Sequence, residues 1–139
     1  IFMLDGKAEA HLYDKTYIMQ RGDIFFVDSY EGHWYKHLTS EILAFVLVLS
    51  REYLEDFYEL YADQTFMTYM SDKKKNQRIF ELIERWYGET EKTHIKDLGY
   101  ANLLFSYFIE EYSLTKRAHK NVREELIKVL LLILSSVPS

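Results

Sequence analysis

Lys7-Ala8-Glu9-Ala10-His11-Leu12-Tyr13 decides the reading of this chain. Ala8, Ala10 and Leu12 alternate with Lys7, Glu9, His11 and Tyr13, the period-two pattern of a strand with one buried face. Asp14-Lys15 makes a short turn into a second extended run at 16–19. Arg21-Gly22-Asp23 turns again into Ile24-Phe25-Phe26-Val27, which is apolar on both faces. Upstream, Ile1-Phe2-Met3-Leu4 is an apolar stretch that closes on Asp5-Gly6. Downstream, residues 28–32 read as a loop, 33–37 as a short strand and 42–49 as a long one. Many short strands joined by tight turns predict a sandwich or barrel. Because Ile1 already lies inside an apolar run, the expectation is a fragment whose upstream strands are missing.

After Ser50 the apolar period lengthens to that of a helix. Ser50 is placed to cap a helix with Leu54, Phe57, Tyr58 and Tyr61 inward and Glu52, Glu55, Asp56 and Glu59 toward water. A second helix is expected from about Asp72, with Ile79, Leu82, Ile83 and Trp86 on one face and a stop at Gly88. A third is expected over 94–112, with Ile95, Leu98, Phe105, Phe108 and Ile109 inward. A last one opens near Asn121, where Glu124 completes a capping box, and runs to about 135. The predicted organisation is therefore α+β: a β part at 1–49 and a helical region at 50–139 packed on it.

With 139 residues and 48% hydrophobic content, the chain is sized for one compact core. Its net charge of −5 opposes nucleic-acid binding, which needs Lys/Arg stripes to displace counterions. The absence of cysteine excludes disulfides, Cys-ligated zinc and thiol catalysis, and fits a cytoplasmic setting. No apolar run approaches the ~20 residues needed to cross a bilayer, so no membrane partner is expected.

The side chains that could carry chemistry have plain structural explanations beside functional ones. His33 and His37 lie four apart, but in a strand that separates them by ~13 Å, too far to share a metal at ~2.1 Å per bond. Glu9 and His11 share a face, and Lys7 beside them marks that face as solvated. The carboxylates fall mostly on polar helix stripes, so no acid–base pair stands out. The runs Lys73-Lys74-Lys75 and Lys116-Arg117 read as solvated loops between helices. No catalytic residue, no metal ligand and no cofactor is expected. His33, Tyr35 and His37 project to one side of their strand and Trp34 to the other. Polar-tipped rings inside an apolar wall suit a small polar ligand, or they cap a barrel rim; the residues alone leave both open.

The order Ile1-Phe2-Met3-Leu4-Asp5-Gly6, a strand pair, Arg21-Gly22-Asp23-Ile24-Phe25-Phe26-Val27 and Gly32-His33-Trp34-Tyr35 resembles the cupin-like N-terminal domain of AraC-type transcription regulators. Phe45-Val46-Leu47-Val48-Leu49-Ser50 through Tyr53-Leu54 looks like that family's closing strand running into its first helix. Two departures stand out. The usual loop proline is replaced by Asp28-Ser29-Tyr30-Glu31, and the strand bearing metal-binding histidines in enzymatic cupins is not in the chain. The resemblance implies a partial double-stranded β-helix barrel that binds a small effector such as a sugar, followed by dimerising helices. DNA would be bound only through a C-terminal helix-turn-helix half absent from this chain. It also implies ligand-facing positions at Tyr35, Ala44, Val46 and Asp5, to which face parity adds His33 and Met3. The competing readings are a metal-dependent cupin enzyme, an isomerase or dioxygenase, and a dimerisation scaffold with a filled barrel.

In the last helix, apolar residues surround most of the circumference, whereas a helix resting on a core needs one stripe. Leu126, Leu130 and Ile133 can face the core while Ile127, Leu131 and Leu134, spaced like a short coiled-coil seam, face another surface, or the two stripes exchange roles. A symmetric homodimer is the simplest way to bury both. Sedimentation equilibrium at micromolar concentration should then show a dimer. Leu130→Glu or Leu131→Glu, tested separately, should dissociate it in at least one case, and a clean wild-type monomer would refute it.

Overall fold

The computed structural model describes residues 1–28, 32–62 and 64–116. Over these the chain is mixed α+β, with antiparallel strand pairs and three helices among the described residues. It divides into two compact units. The first joins Ile1–Leu49 to Phe66–Leu114, and the second takes Ser50–Thr65 and the chain from Thr115 onward. The expected last helix, with Leu126, Ile127, Leu130, Leu131, Ile133 and Leu134, lies outside the described residues.

Two sheets build the first unit. Strands β1 (Phe2–Asp5), β4 (Ile24–Phe25), β6 (Leu43–Phe45) and β8 (Tyr69–Met70) form one, in the order β6-β1-β4-β8. Strands β2 (Lys7–Leu12), β3 (Lys15–Gln20) and β5 (His33–His37) form the other, in the order β3-β2-β5. The alternation at 7–12 is realised: Ala8, Ala10 and Leu12 are buried, and Lys7 is exposed. Leu12 pairs with Lys15, so the hairpin turns on Tyr13-Asp14, with Tyr13 at φ 56. Gly6 takes φ +85, and a Cβ there would collide with the Glu41 carbonyl oxygen, so both backbone conformation and space require glycine.

Phe2 and Met3 are adjacent in sequence and buried on opposite faces of β1. Met3 joins Ala8, Ala10, Leu12, Met19 and Phe25 in the core between the sheets. Phe2 turns to the helices, where its ring meets Phe80 edge-on at 5.9 Å and stacks on Phe108 at 6.3 Å. Ile24 is the cross-strand partner of Phe2 and of Met70, and all three are buried. The apolar run at 24–27 therefore reads apolar on both faces because its sheet is covered on both. Only Ile24 and Phe25 form ladder pairs, although Phe26 still donates its N–H to the Thr68 carbonyl at 2.8 Å. The expected strand at 42–49 shortens to β6, because Phe45 already lies opposite Phe2 and the residues after it pair with no strand among the described residues.

Helices α2 (Lys73–Tyr87) and α3 (His94–Glu111) complete this unit. Asp72 caps α2 by accepting from the backbone N–H groups of Lys74 and Lys75, so the run at 73–75 is the helix's first turn and not a loop. Ile79, Leu82, Ile83 and Trp86 are buried, as their spacing predicts. Gly88 ends the helix at φ −78, so its freedom to adopt positive φ is not used. Thr93 caps α3, whose buried stripe is Ala101, Leu104, Phe105 and Phe108. Ile95, expected inward, is 82% exposed, and Leu98 is also exposed. At 100° per residue Ile95 lies about 120° from that stripe. The first turns of α3 instead meet Trp86 through Asp97, which accepts from its indole N–H at 2.9 Å, and Tyr100, which stacks on it at 5.6 Å.

The second unit holds α1 (Arg51–Leu60), β7 (Gln64–Thr65) and β9 (Thr115–Lys116). Ser50 caps α1 by accepting from the Tyr53 N–H, as expected. Phe57 and Tyr58 are buried, and Phe57 stacks on Tyr61 at 4.8 Å. Gln64 pairs with Lys116 and Thr65 with Thr115. Among the described residues no helix is long and apolar enough to cross a membrane.

Asn76 ties the first unit together. Its side chain is 1% exposed, donates from Nδ2 to the carbonyls of Gly22 and Met70, and accepts at Oδ1 from the Tyr112 hydroxyl at 2.6 Å. Truncating it removes the Asn76 bonds to two carbonyls and to the Tyr112 hydroxyl, which keeps only the longer contact to the Asp72 carbonyl at 3.5 Å. Asn76→Ala should cost about 3 kcal/mol in urea denaturation and Tyr112→Phe only about 1 kcal/mol. Equal effects would contradict the network.

Candidate functional site

The register of β5 on β2 places Tyr35 opposite Ala10, His33 opposite Leu12 and His37 opposite Ala8. Cross-strand partners share a face, so these residues stand on the side of the sheet that faces the core. Met3 is paired with Ala44 across β1 and β6. Three of the six positions singled out from the sequence thus meet: Met3 belongs to the inter-sheet core, and Tyr35 and Ala44 pack against it. The other three do not join them. Asp5 and His33 are exposed, and Val46, beyond the end of β6, is 59% exposed. His33 remains beside the group, its ring edge-on to Tyr35 at 5.5 Å.

Tyr35 is the distinctive member. Its ring meets Phe25 edge-on at 6.1 Å, and its hydroxyl oxygen is buried with no hydrogen-bond partner among the described residues. Burial pushes the phenol from 10.0 up to about 12, because an ionised oxygen there would lose its water. A buried hydroxyl without a partner costs about 1–3 kcal/mol, so such groups are rare unless something else engages them.

Nearby, Tyr69 makes the bonds that Tyr35 lacks. Its hydroxyl lies 2.7 Å from the Ile18 carbonyl and 2.8 Å from Asp23 Oδ2, and Asp23 also accepts from the Gln20 N–H at 2.9 Å. Tyr69 too is pushed up to about 12, by burial first and by the Asp23 carboxylate second. Asp23 is 1% exposed, and its Oδ1 has no partner among the described residues. The Gly-Asp turn was legible in the sequence, but Tyr69 as its partner was not, since that contact joins distant parts of the chain.

On the β3-β2-β5 sheet, the face opposite Tyr35 carries a second polar group. His11 Nε2 lies 3.1 Å from Glu9 Oε2, and Nδ1 lies 3.2 Å from the Thr16 hydroxyl. The Trp34 ring stacks on the imidazole at 3.6 Å and 2°. Both ring nitrogens are thus engaged within the sheet. His33 and His37 stay at strand spacing, and among the described residues no three His, Asp or Glu side chains gather to hold a metal.

Comparison with protein-family models, curated proteins and solved structures gives no match, so the functional reading rests on this chain's own residues.

Raised phenol values have a definite consequence. Between pH 10 and 12 the unfolded chain releases protons from Tyr35 and Tyr69 that the folded chain retains. Their contribution to stability is full below pH 10 and falls as pH rises through this window. Absorbance titration of the native protein should show a late tyrosinate phase near pH 12, reduced in Tyr35→Phe, and the melting temperature should drop over the same range. A single phase near pH 10 would contradict the burial of both hydroxyls.

Proposed function

We propose that this chain is the ligand-sensing and dimerising part of an AraC-type transcription regulator, acting in the cytoplasm and not as an enzyme. In this reading the two facing sheets are part of a cupin-like barrel, and a small polar effector such as a sugar enters between them. The regulator assembles as a homodimer through the apolar helix at 121–135, and DNA is contacted by a separate helix-turn-helix half.

The observation that carries the reading is the Tyr35 hydroxyl, buried without a partner where Met3 and Ala44 also converge. A sugar hydroxyl would supply the missing hydrogen bond in an apolar wall, and directed bonds of that kind set specificity in small-molecule sites. Two of the side chains around it, Met3 and Met19, are flexible thioethers that repack at modest cost to admit a ligand. One observation favours a second reading, a dimerisation scaffold that binds nothing: the space between the sheets is filled by Met3, Leu12, Met19 and Phe25.

Tyr35→Phe separates the two. It removes an unsatisfied hydroxyl, so the ligand-free variant should melt at or slightly above the wild-type temperature. In a thermal-shift screen of pentoses and hexoses, the wild type should be stabilised by at least one sugar. The variant should bind that sugar about fivefold or more weakly, the scale of one buried hydrogen bond of ~1 kcal/mol. No stabilisation by any sugar favours the scaffold, and unchanged affinity in the variant removes Tyr35 from the site. Stoichiometric iron, manganese, nickel or zinc in the purified protein would favour a metal-dependent cupin enzyme instead.

A further inference from the structure

A cleft of about 570 Å³ opens in the first unit between α2 and the β1–β6 edge of its sheet. That is within the range of small-ligand sites, and it shares only Met3 with the inter-sheet core. Leu43 and Phe80 supply apolar wall. The charges around it are sorted by sign. Arg21 and Lys73 line one end, and Glu81 and Glu84 line the other.

On α2, Lys73, Gln77, Glu81 and Glu84 follow one another at intervals of four, four and three, which puts them on one stripe. A rise of 1.5 Å per residue separates Lys73 from Glu81 by about 12 Å along the axis and from Glu84 by about 16 Å. This order opposes helix stability, because the macrodipole favours acids at the N-terminus and bases at the C-terminus. Here the first turn is Lys73-Lys74-Lys75 with no acid in it, and Glu84 stands near the far end.

The same residues are also unengaged. None of Arg21, Lys73, Gln77, Glu81 and Glu84 makes a side-chain hydrogen bond or ion pair with another described residue. By contrast Arg78, elsewhere on α2, is held by Glu110 and Glu111 and lies 4.2 Å over the Tyr107 ring. Asn76, at the floor of the cleft, is fixed by the network that ties α2 to Gly22, so the wall carrying the stripe is rigid.

We propose that this cleft binds a short peptide with free ends, in extended form. Its carboxylate lies against Arg21 and Lys73, and its α-amino group against Glu81 and Glu84. Four residues at about 3.3 Å each span the separation of the two charged ends, and apolar side chains suit the Leu43–Phe80 wall. Arg21 offers the planar donor pair that suits a carboxylate. This site is independent of the effector reading, since Tyr35 takes no part in it.

The test is calorimetric titration of the full chain with Ala-Leu-Leu-Ala, with its N-acetylated form and with its C-amidated form. The free peptide should bind, and either blocking group should weaken binding tenfold or more. The paired variant Glu81→Gln/Glu84→Gln should lose the same factor for the free peptide and no longer distinguish the acetylated form, while still discriminating against the amide. Arg21→Gln/Lys73→Gln should show the reverse pattern. All four positions are exposed, so the variants should fold, which an unchanged melting temperature checks. Absence of binding, or equal binding of free and blocked peptides, overturns the proposal. So does full displacement by inorganic phosphate with no effect of the glutamate variants, which would mark a simple anion site.

Discussion

The burial of β1 on both faces is the constraint on which the first unit depends. A strand covered on one side tolerates a polar residue at every second position, but β1 has none between Phe2 and Leu4. Met3 closes the space between the sheets and Phe2 closes the space under the helices, so one short strand joins two cores. Full burial of each side chain contributes about 2 kcal/mol, and neither can be replaced by its neighbour, because a one-residue slip would exchange the faces. β4 is under the same demand, and Ile24 and Phe25 meet it in the same way.

Joining two cores through a thin sheet leaves polar backbone near the seam, and the buried side chains there answer it. Asp23 accepts from the Gln20 N–H, which shapes the turn leading into β4. Asn76 reaches from α2 to the Gly22 carbonyl of that same turn and to the Met70 carbonyl at the end of β8. The turn is therefore held from both sides. The candidate ligand group Tyr35 and the charge-sorted cleft lie on opposite sides of this seam, each positioned by a core that the other does not share apart from Met3.

Much of this was legible in the sequence where a pattern repeats over several residues. The alternation at Lys7–Leu12 and the spacing of Ile79, Leu82, Ile83 and Trp86 each gave the buried face correctly. Face parity also separated Tyr35 from Trp34. The failures have physical reasons. β7, β8 and β9 are two residues each, too short to show a period. Ile95 is apolar and helical but lies in a turn that answers to Trp86. Asp5 and Val46, which the family resemblance implied, lie at the end of β1 and beyond β6 and are exposed, and His33, added by face parity, opens β5, where parity no longer implies burial. The His11–Trp34 stack and the Arg21–Lys73 end of the cleft depend on long-range register, which no local window contains.

The stacking of Trp34 on His11 has a consequence for how this molecule can be watched. Of the two indoles in the chain, Trp34 is 57% exposed and reports on the pairing of β5 with β2, whereas Trp86 is buried against Tyr100 and reports on the pairing of α2 with α3. One lies at a wet surface and the other is withdrawn from water, so their emission maxima differ. The three-stranded sheet and the helical layer thus each carry an intrinsic optical label, and loss of one layer before the other would separate the two signals in time.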